Sequence, residues 1–242
     1  MTVMDTITSD DRHLPPAALL RLQSWLSPAF PTGSYSYSHG LEWAVEAGLI
    51  DDRESLVDWL EADLRHGSGR NEAIFFLESW SGSRQDNRAK VMEIAELAAA
   101  FRGTSELALE SSQQAAACLA MLRQVWRDGF LDWLSGMLSE RQVRPSLALV
   151  LGAGFARHGI SARLALPAFL QSYLTNQVTA GVRLIPLGQT DAQLAIASLE
   201  DAVLAASAQA GTATIDELGS AAFMVDLASM QHETQYTRLF RS

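Results

Sequence analysis

The passage ARLALPAFLQSYLTNQVTAGVRLI, Ala162 to Ile185, decides the fold class. Leu166, Leu170, Leu174, Val178, Val182 and Ile185 recur every three or four residues, the spacing that lines up side chains on one face of an α-helix. Pro167 belongs in the first turn or bends the start, and Pro186 and Gly188 end the run. The same period recurs to either side. Leu19, Leu22, Trp25 and Leu26 follow Pro15 and Pro16, which suit a helix start; Leu56, Trp59, Leu60 and Leu64 form a second stripe, and Val91, Ile94, Ala95 and Ala98 a third. Further helices are expected at about Asn71–Trp80, Thr104–Trp126, Leu131–Leu138, Pro145–Gly159, Thr190–Ala208 and Phe223–His232, with Ser81–Asn87 as a turn. Gly48, Gly67, Gly69, Gly103 and Gly159 are stops, and the pairs Asp51/Glu54, Thr190/Gln193 and Thr214/Glu217 read as capping boxes. Sustained period-two alternation is absent. The expectation is an all-α single domain of about ten helices in an orthogonal bundle-like array over residues 15–230. A flexible N-terminal tail, 1–14, and a C-terminal tail, 231–242, flank it.

Composition narrows the function. The chain has 242 residues, 48% of them hydrophobic, which is enough for a sizeable core. Its formal charge of −10 argues against nucleic-acid binding and against an anionic membrane surface. Cys118 is the single cysteine, so neither an intrachain disulfide nor a thiolate cluster is possible. The start MTVMDTITSDDRHLPP lacks the basic and apolar regions of a signal peptide. The longest apolar run, Leu147 to Ala156, is far short of the ~20 residues of a membrane span. These features fit a cytoplasmic protein.

No GxxxxGKS/T loop is present, and Gly152 and Gly154 lie in an apolar helical run where close helix packing explains them. The five histidines form no pair at helical spacing with each other or with the cysteine, so no permanent metal site is expected. His66 has Asp63 and Glu61 nearby, which a solvated helix end explains. The least ordinary stretch is LSPAFPTGSYSYSHGLEW, Leu26 to Trp43. Ser34, Ser36 and Ser38 with His39 suggest a hydrolase, but there is no GxSxG elbow and no preceding strand. Tyr35 and Tyr37 suit an interface better, since a phenol buries area while its hydroxyl finds a partner.

Two further features carry open readings. Gln171, Thr175, Thr179 and Arg183 recur every four residues with Asn176 alongside. This polar stripe is either a solvated face or the lining of an interface or water-filled passage. The tail ETQYTRLFRS sets Tyr236, Leu239 and Phe240 beside Arg238 and Arg241. It either packs on its own domain or orders on a partner.

Three blocks, SPAFPTGSYSYSHGLEWAVEAG (Ser27 to Gly48), NQVTAGVRLIPLGQTDAQ (Asn176 to Gln193) and DLASMQHETQYTRLFRS (Asp226 to Ser242), resemble the UreF family of urease accessory proteins. The resemblance implies an all-α protein with no enzymatic activity or cofactor of its own. It implies a homodimer that binds UreD (also called UreH) and the GTPase UreG, docks on apo-urease and assists nickel delivery. Carried onto this sequence, it assigns UreD binding to Tyr35, Tyr37, His39 and Glu42 of the loop and to Tyr236, Arg238, Phe240 and Arg241 of the tail. The stripe Gln171, Thr175, Asn176, Thr179 and Arg183 is then a candidate nickel passage or GTPase contact. The alternative is a GTPase-activating protein that inserts an arginine, with Arg84, Arg88 and Arg183 as candidates. In either case the two ends of the chain are expected to meet.

Overall fold

A computed structural model describes residues 15–241. The expected flexible segment 1–14 lies outside the described residues, as does Ser242. Twelve α-helices are present among the described residues, and no strand. They are α1 (Pro16–Trp25), α2 (Leu41–Glu46), α3 (Arg53–His66), α4 (Ser68–Arg84), α5 (Arg88–Ala100) and α6 (Ser105–Val125). The second half supplies α7 (Gly129–Glu140), α8 (Leu147–Arg157), α9 (Ala162–Leu184), α10 (Gln189–Ser198), α11 (Glu200–Ala210) and α12 (Phe223–His232). No described helix is long and apolar enough to cross a membrane.

The centre of the protein is the contact between α4 and α8. Every residue of α8 from Ala148 to Ala156 is buried, so this helix has no solvent face. Its small residues allow the approach: a Cβ on Gly152 would lie 2.4 Å from the carbonyl oxygen of Phe76. Phe76 stacks on Phe169 of α9 at 5.1 Å and packs near Phe155 of α8 at 6.1 Å, which ties the long helix to this pair. Trp25 of α1 stacks on Phe155 at 5.1 Å and meets Trp126 edge-on at 5.5 Å, closing the core from the N-terminal side.

Several boundaries differ from the expected ones. The cap of α3 is Asp52, whose carboxylate accepts from Ser55 N, while the Ser55 hydroxyl accepts from Asp52 N. The box is therefore Asp52/Ser55, one residue later than Asp51/Glu54, because Ser55 closes the reciprocal bond. Gly67 is the one residue between α3 and α4, so Gly69 lies inside α4. Helix α4 extends to Arg84 and confines the turn to the residues before Asn87, which caps α5 through Lys90 N at 3.1 Å. Pro167 sits in the second turn of α9 rather than the first. Thr190 does not cap: α10 starts at Gln189, with the Asp191 carboxylate accepting from Gly188 N at 3.2 Å. The run expected from Thr190 to Ala208 is broken at Leu199 into α10 and α11. The Thr214/Glu217 box does form, but it opens only a short 3-10 turn.

Candidate functional site

The loop between α1 and α2 and the tail after α12 form one assembly. Gly33 and Gly40, with φ of 76° and 80°, give the loop its two left-handed corners. Gly40 also sets the loop against α12, since a Cβ there would lie 2.8 Å from Ser229 N. Between these corners three successive carbonyls are each received by a distant donor. Ser34 O accepts from Asn176 Nδ2 at 3.2 Å, Tyr35 O from an Arg183 guanidinium nitrogen at 3.0 Å, and Ser36 O from Arg241 N at 2.8 Å. Two of these donors come from α9 and one from the tail.

Glu42, in the first turn of α2, is the hub for the tail. One carboxylate oxygen accepts from Leu239 N at 2.5 Å and the other from Phe240 N at 2.8 Å. The second oxygen also lies 3.3 Å from His232 Nε2, while His232 Nδ1 lies 2.6 Å from Glu106. Both ring nitrogens of the fully buried His232 thus face carboxylate oxygens, which only accept. Glu106 completes the row with Arg238 at 2.7 Å. Neighbouring hydroxyls add Thr104 to Ser229 at 2.8 Å and Ser105 to Glu233 at 2.7 Å. These Ser105 bonds hold the Glu233 carboxyl below its ordinary pKa.

The sequence-derived candidates divide by exposure. Phe240 is buried, with the Arg183 guanidinium 4.3 Å above its ring, so it anchors the tail rather than facing outward. Tyr37 is buried and its hydroxyl donates to Gln113 at 2.5 Å. His39 is buried in a polar cluster with Ser68 and Tyr173. Tyr35, at 72% exposed, and Tyr236, at 102%, project from the surface, and Leu239 is half-exposed at 57%. The tail is therefore neither wholly packed nor wholly free: it is pinned at Phe240 and presents its other apolar side chains. Removing the Arg183 side chain takes away both the Tyr35 carbonyl bond and the contact with Phe240. Arg183→Ala is expected to cost about 1–2 kcal/mol of loop and tail protection, read by amide exchange at residues 35–37 and 239–241.

The polar stripe on α9 also divides. Gln171, Thr175, Asn176 and Thr179 line one wall of a half-open cleft of about 520 Å³ bounded also by α1, the loop, Leu147 and Leu151 of α8 and Glu110 and Gln114 of α6. The Thr175 and Thr179 hydroxyls donate to the carbonyls of Gln171 and Thr175, one turn back. Arg183 does not line this cleft; it is engaged with the loop and Phe240. Of the other arginines considered, Arg88 stacks over Trp133 at 4.9 Å. Among the described residues, no group of three or more His, Cys, Asp or Glu is arranged to hold a metal.

Two residues that build the site, Asp63 and Glu106, were not singled out in the sequence as buried partners. Asp63 belongs to no solvated helix end: it is fully buried and accepts from Ser68 N at 2.9 Å, Ser68 Oγ at 2.8 Å and the Tyr173 hydroxyl at 2.7 Å. A usable signal existed, since Asp63 stands seven residues after Leu56, on the buried stripe that contains Leu60 and Leu64. Glu106 beside Leu107, both buried in the first turn of α6, is a similar case.

The described residues thus form an all-helical body in which the α1–α2 loop and the tail after α12 are clasped together, with Tyr35, Tyr236 and Leu239 left exposed. A family model described as UreF matches residues 50–200. The chain is 44% identical over 226 residues to a urease accessory protein UreF of Rhodopseudomonas palustris (strain TIE-1), an alignment covering 93% of each protein. It is 46% identical over 226 residues to the UreF of Bradyrhizobium diazoefficiens, covering 93% of this chain and 92% of the relative. For the UreF of Granulibacter bethesdensis the identity is 43% over 226 residues, covering 93% and 94%. The chain belongs to the UreF family.

Proposed function

We propose that this chain serves urease maturation as a non-catalytic, cytoplasmic scaffold. It brings UreD (UreH) and the GTPase UreG to apo-urease, with nickel as the cargo rather than a resident cofactor. The loop and tail form one composite surface for UreD, and a different surface, around a homodimer, receives the GTPase. The observation that carries the reading is the exposure of apolar side chains on α12 and the tail. Phe223, Met224, Leu227 and Met230 of α12 and Tyr236 and Leu239 beyond it are all 39% exposed or more. An apolar concentration of this kind at one end of a chain is the mark of a partner-binding surface. A passage between partners would run along the cleft, where Gln171, Thr175, Asn176 and Thr179 form a polar wall opposite apolar residues such as Leu22, Trp25 and Leu151.

Deleting Tyr236 to Ser242 is expected to abolish co-purification with UreD while far-UV helicity is unchanged. Retained binding would refute the tail assignment. The rival reading, a GTPase activator working through an arginine, is separated by adding the full chain to UreG and measuring GTP turnover. A scaffold leaves that rate unchanged, whereas an inserted arginine raises it by ~10³-fold or more.

A further inference from the structure

His39 stands at the corner where the loop enters α2, in the left-handed region with φ of 58°, and its ring is buried. Its Nε2 lies 2.8 Å from Ser68 Oγ and 3.0 Å from the Tyr173 hydroxyl. Both hydroxyls are already committed, Ser68 Oγ donating to one oxygen of Asp63 and the Tyr173 hydroxyl to the other. With Ser68 N, three donors converge on Asp63, the arrangement of an ionised carboxylate. A hydroxyl has one proton to donate. Neither has one left for His39, so Nε2 carries a hydrogen and donates to the two oxygens.

The other ring nitrogen, Nδ1, lies 3.6 Å from a carboxylate oxygen of Glu110, an ion-pair distance. A bare lone pair facing that oxygen in a poorly solvated site is repelled, and a protonated Nδ1 is attracted. We infer that His39 is a buried imidazolium ion that latches the loop onto α3, α4, α6 and α9, so that the fixed position of the loop depends on proton concentration.

The charges around the ring agree. Asp63 comes from α3, Glu72 from α4 and Glu110 from α6, and Tyr173 comes from α9. Of these carboxylates, Glu72 is paired with Arg102 at 2.5 Å. Three carboxylates therefore act on one imidazole, and a proton on that ring offsets one unit of their negative charge. Burial pushes the His39 pKa down, while Glu110, Asp63 and Glu72 push it up, and the balance lies above the ordinary histidine value. The folded protein then holds this proton more tightly than the unfolded chain. The latch is fully formed below the ordinary histidine range and is lost as pH rises through the elevated value.

The test is nitrogen-15 NMR of the histidine rings in the full chain from about pH 6 to about pH 9.5, with H39Q for assignment. If H39Q does not fold, substituting the other histidines one at a time assigns His39 by elimination. At about pH 7.5 both His39 nitrogens are expected at imidazolium shifts, and Glu110→Gln is expected to move the titration midpoint downward. Amide protection at residues 35–39, corrected for the intrinsic pH dependence of exchange, should fall along the same titration curve. A neutral-imidazole pattern at about pH 7.5, an unmoved midpoint in E110Q, or loop protection that ignores the titration would each overturn the inference.

Discussion

Glu42→Ala is expected to release the C-terminal tail from the body of the protein. The carboxylate receives the backbone N–H groups of Leu239 and Phe240 and faces His232, so one substitution strands three buried or half-buried polar groups. Removing one partner from such a cluster costs about 3–5 kcal/mol, because the groups left behind have lost water as well as their bonds. Most of that loss falls on the tail, since helices α3 to α11 reach Glu42 only from Glu106 of α6 by way of His232 of α12. The expected readout is a rise in exchange at Leu239 and Phe240 of at least about 100-fold, with little change in far-UV helicity. Glu42→Gln, which keeps one acceptor but loses the charge, should fall between the two. Unchanged protection at Leu239 and Phe240 in E42A would show that Phe240 burial and the Arg238–Glu106 and Arg241–Ser36 contacts hold the tail without Glu42.

The largest effect on global stability is expected at Gly152. A methyl group there would lie 2.4 Å from the Phe76 carbonyl and 3.2 Å from Ser79 Cβ, so neither backbone nor side chain can give way cheaply. The α4–α8 contact must open, and α8 has no exposed face onto which it could shift. Gly152→Ala is expected to cost about 3 kcal/mol, lowering Tm by roughly 6–12 °C for a chain of this size. Gly136 on α7 is the control, because a Cβ there meets nothing within 4 Å. Gly136→Ala should leave Tm unchanged or raise it slightly through helix propensity.

What the sequence made legible follows from the range of the interactions. Helices are written in local spacing, so the 162–185 stripe and the 223–232 helix could be read directly. Caps were harder where two candidates stand side by side. Asp51 and Asp52 each have a polar residue three positions on, and only the reciprocal bond with Ser55 distinguishes them. The loop and tail could be singled out by composition, and their meeting could be anticipated from shared aromatic character. The pairings that join them could not. Glu42 reaches residues 190 or more positions away, and His232 reaches Glu106 across 126 positions. No local pattern encodes pairings at that distance. Asp63 and Glu106 were detectable only as charges placed on buried stripes. Arg183 shows the opposite limit: its place at the end of a polar stripe suggested a passage or a catalytic finger, whereas its actual contacts are with Tyr35 and Phe240.

The most direct test of the scaffold account uses the side chains that the clasp exposes and does not need for its own packing. Tyr35, Tyr236 and Leu239 are 72%, 102% and 57% exposed, so replacing all three by alanine should leave the fold and its thermal transition intact. The measurement is the affinity of UreD for the full chain and for this triple variant. The account predicts a fall of at least about 100-fold, the loss expected when aromatic anchors leave an interface. An unchanged affinity in the folded variant would contradict it.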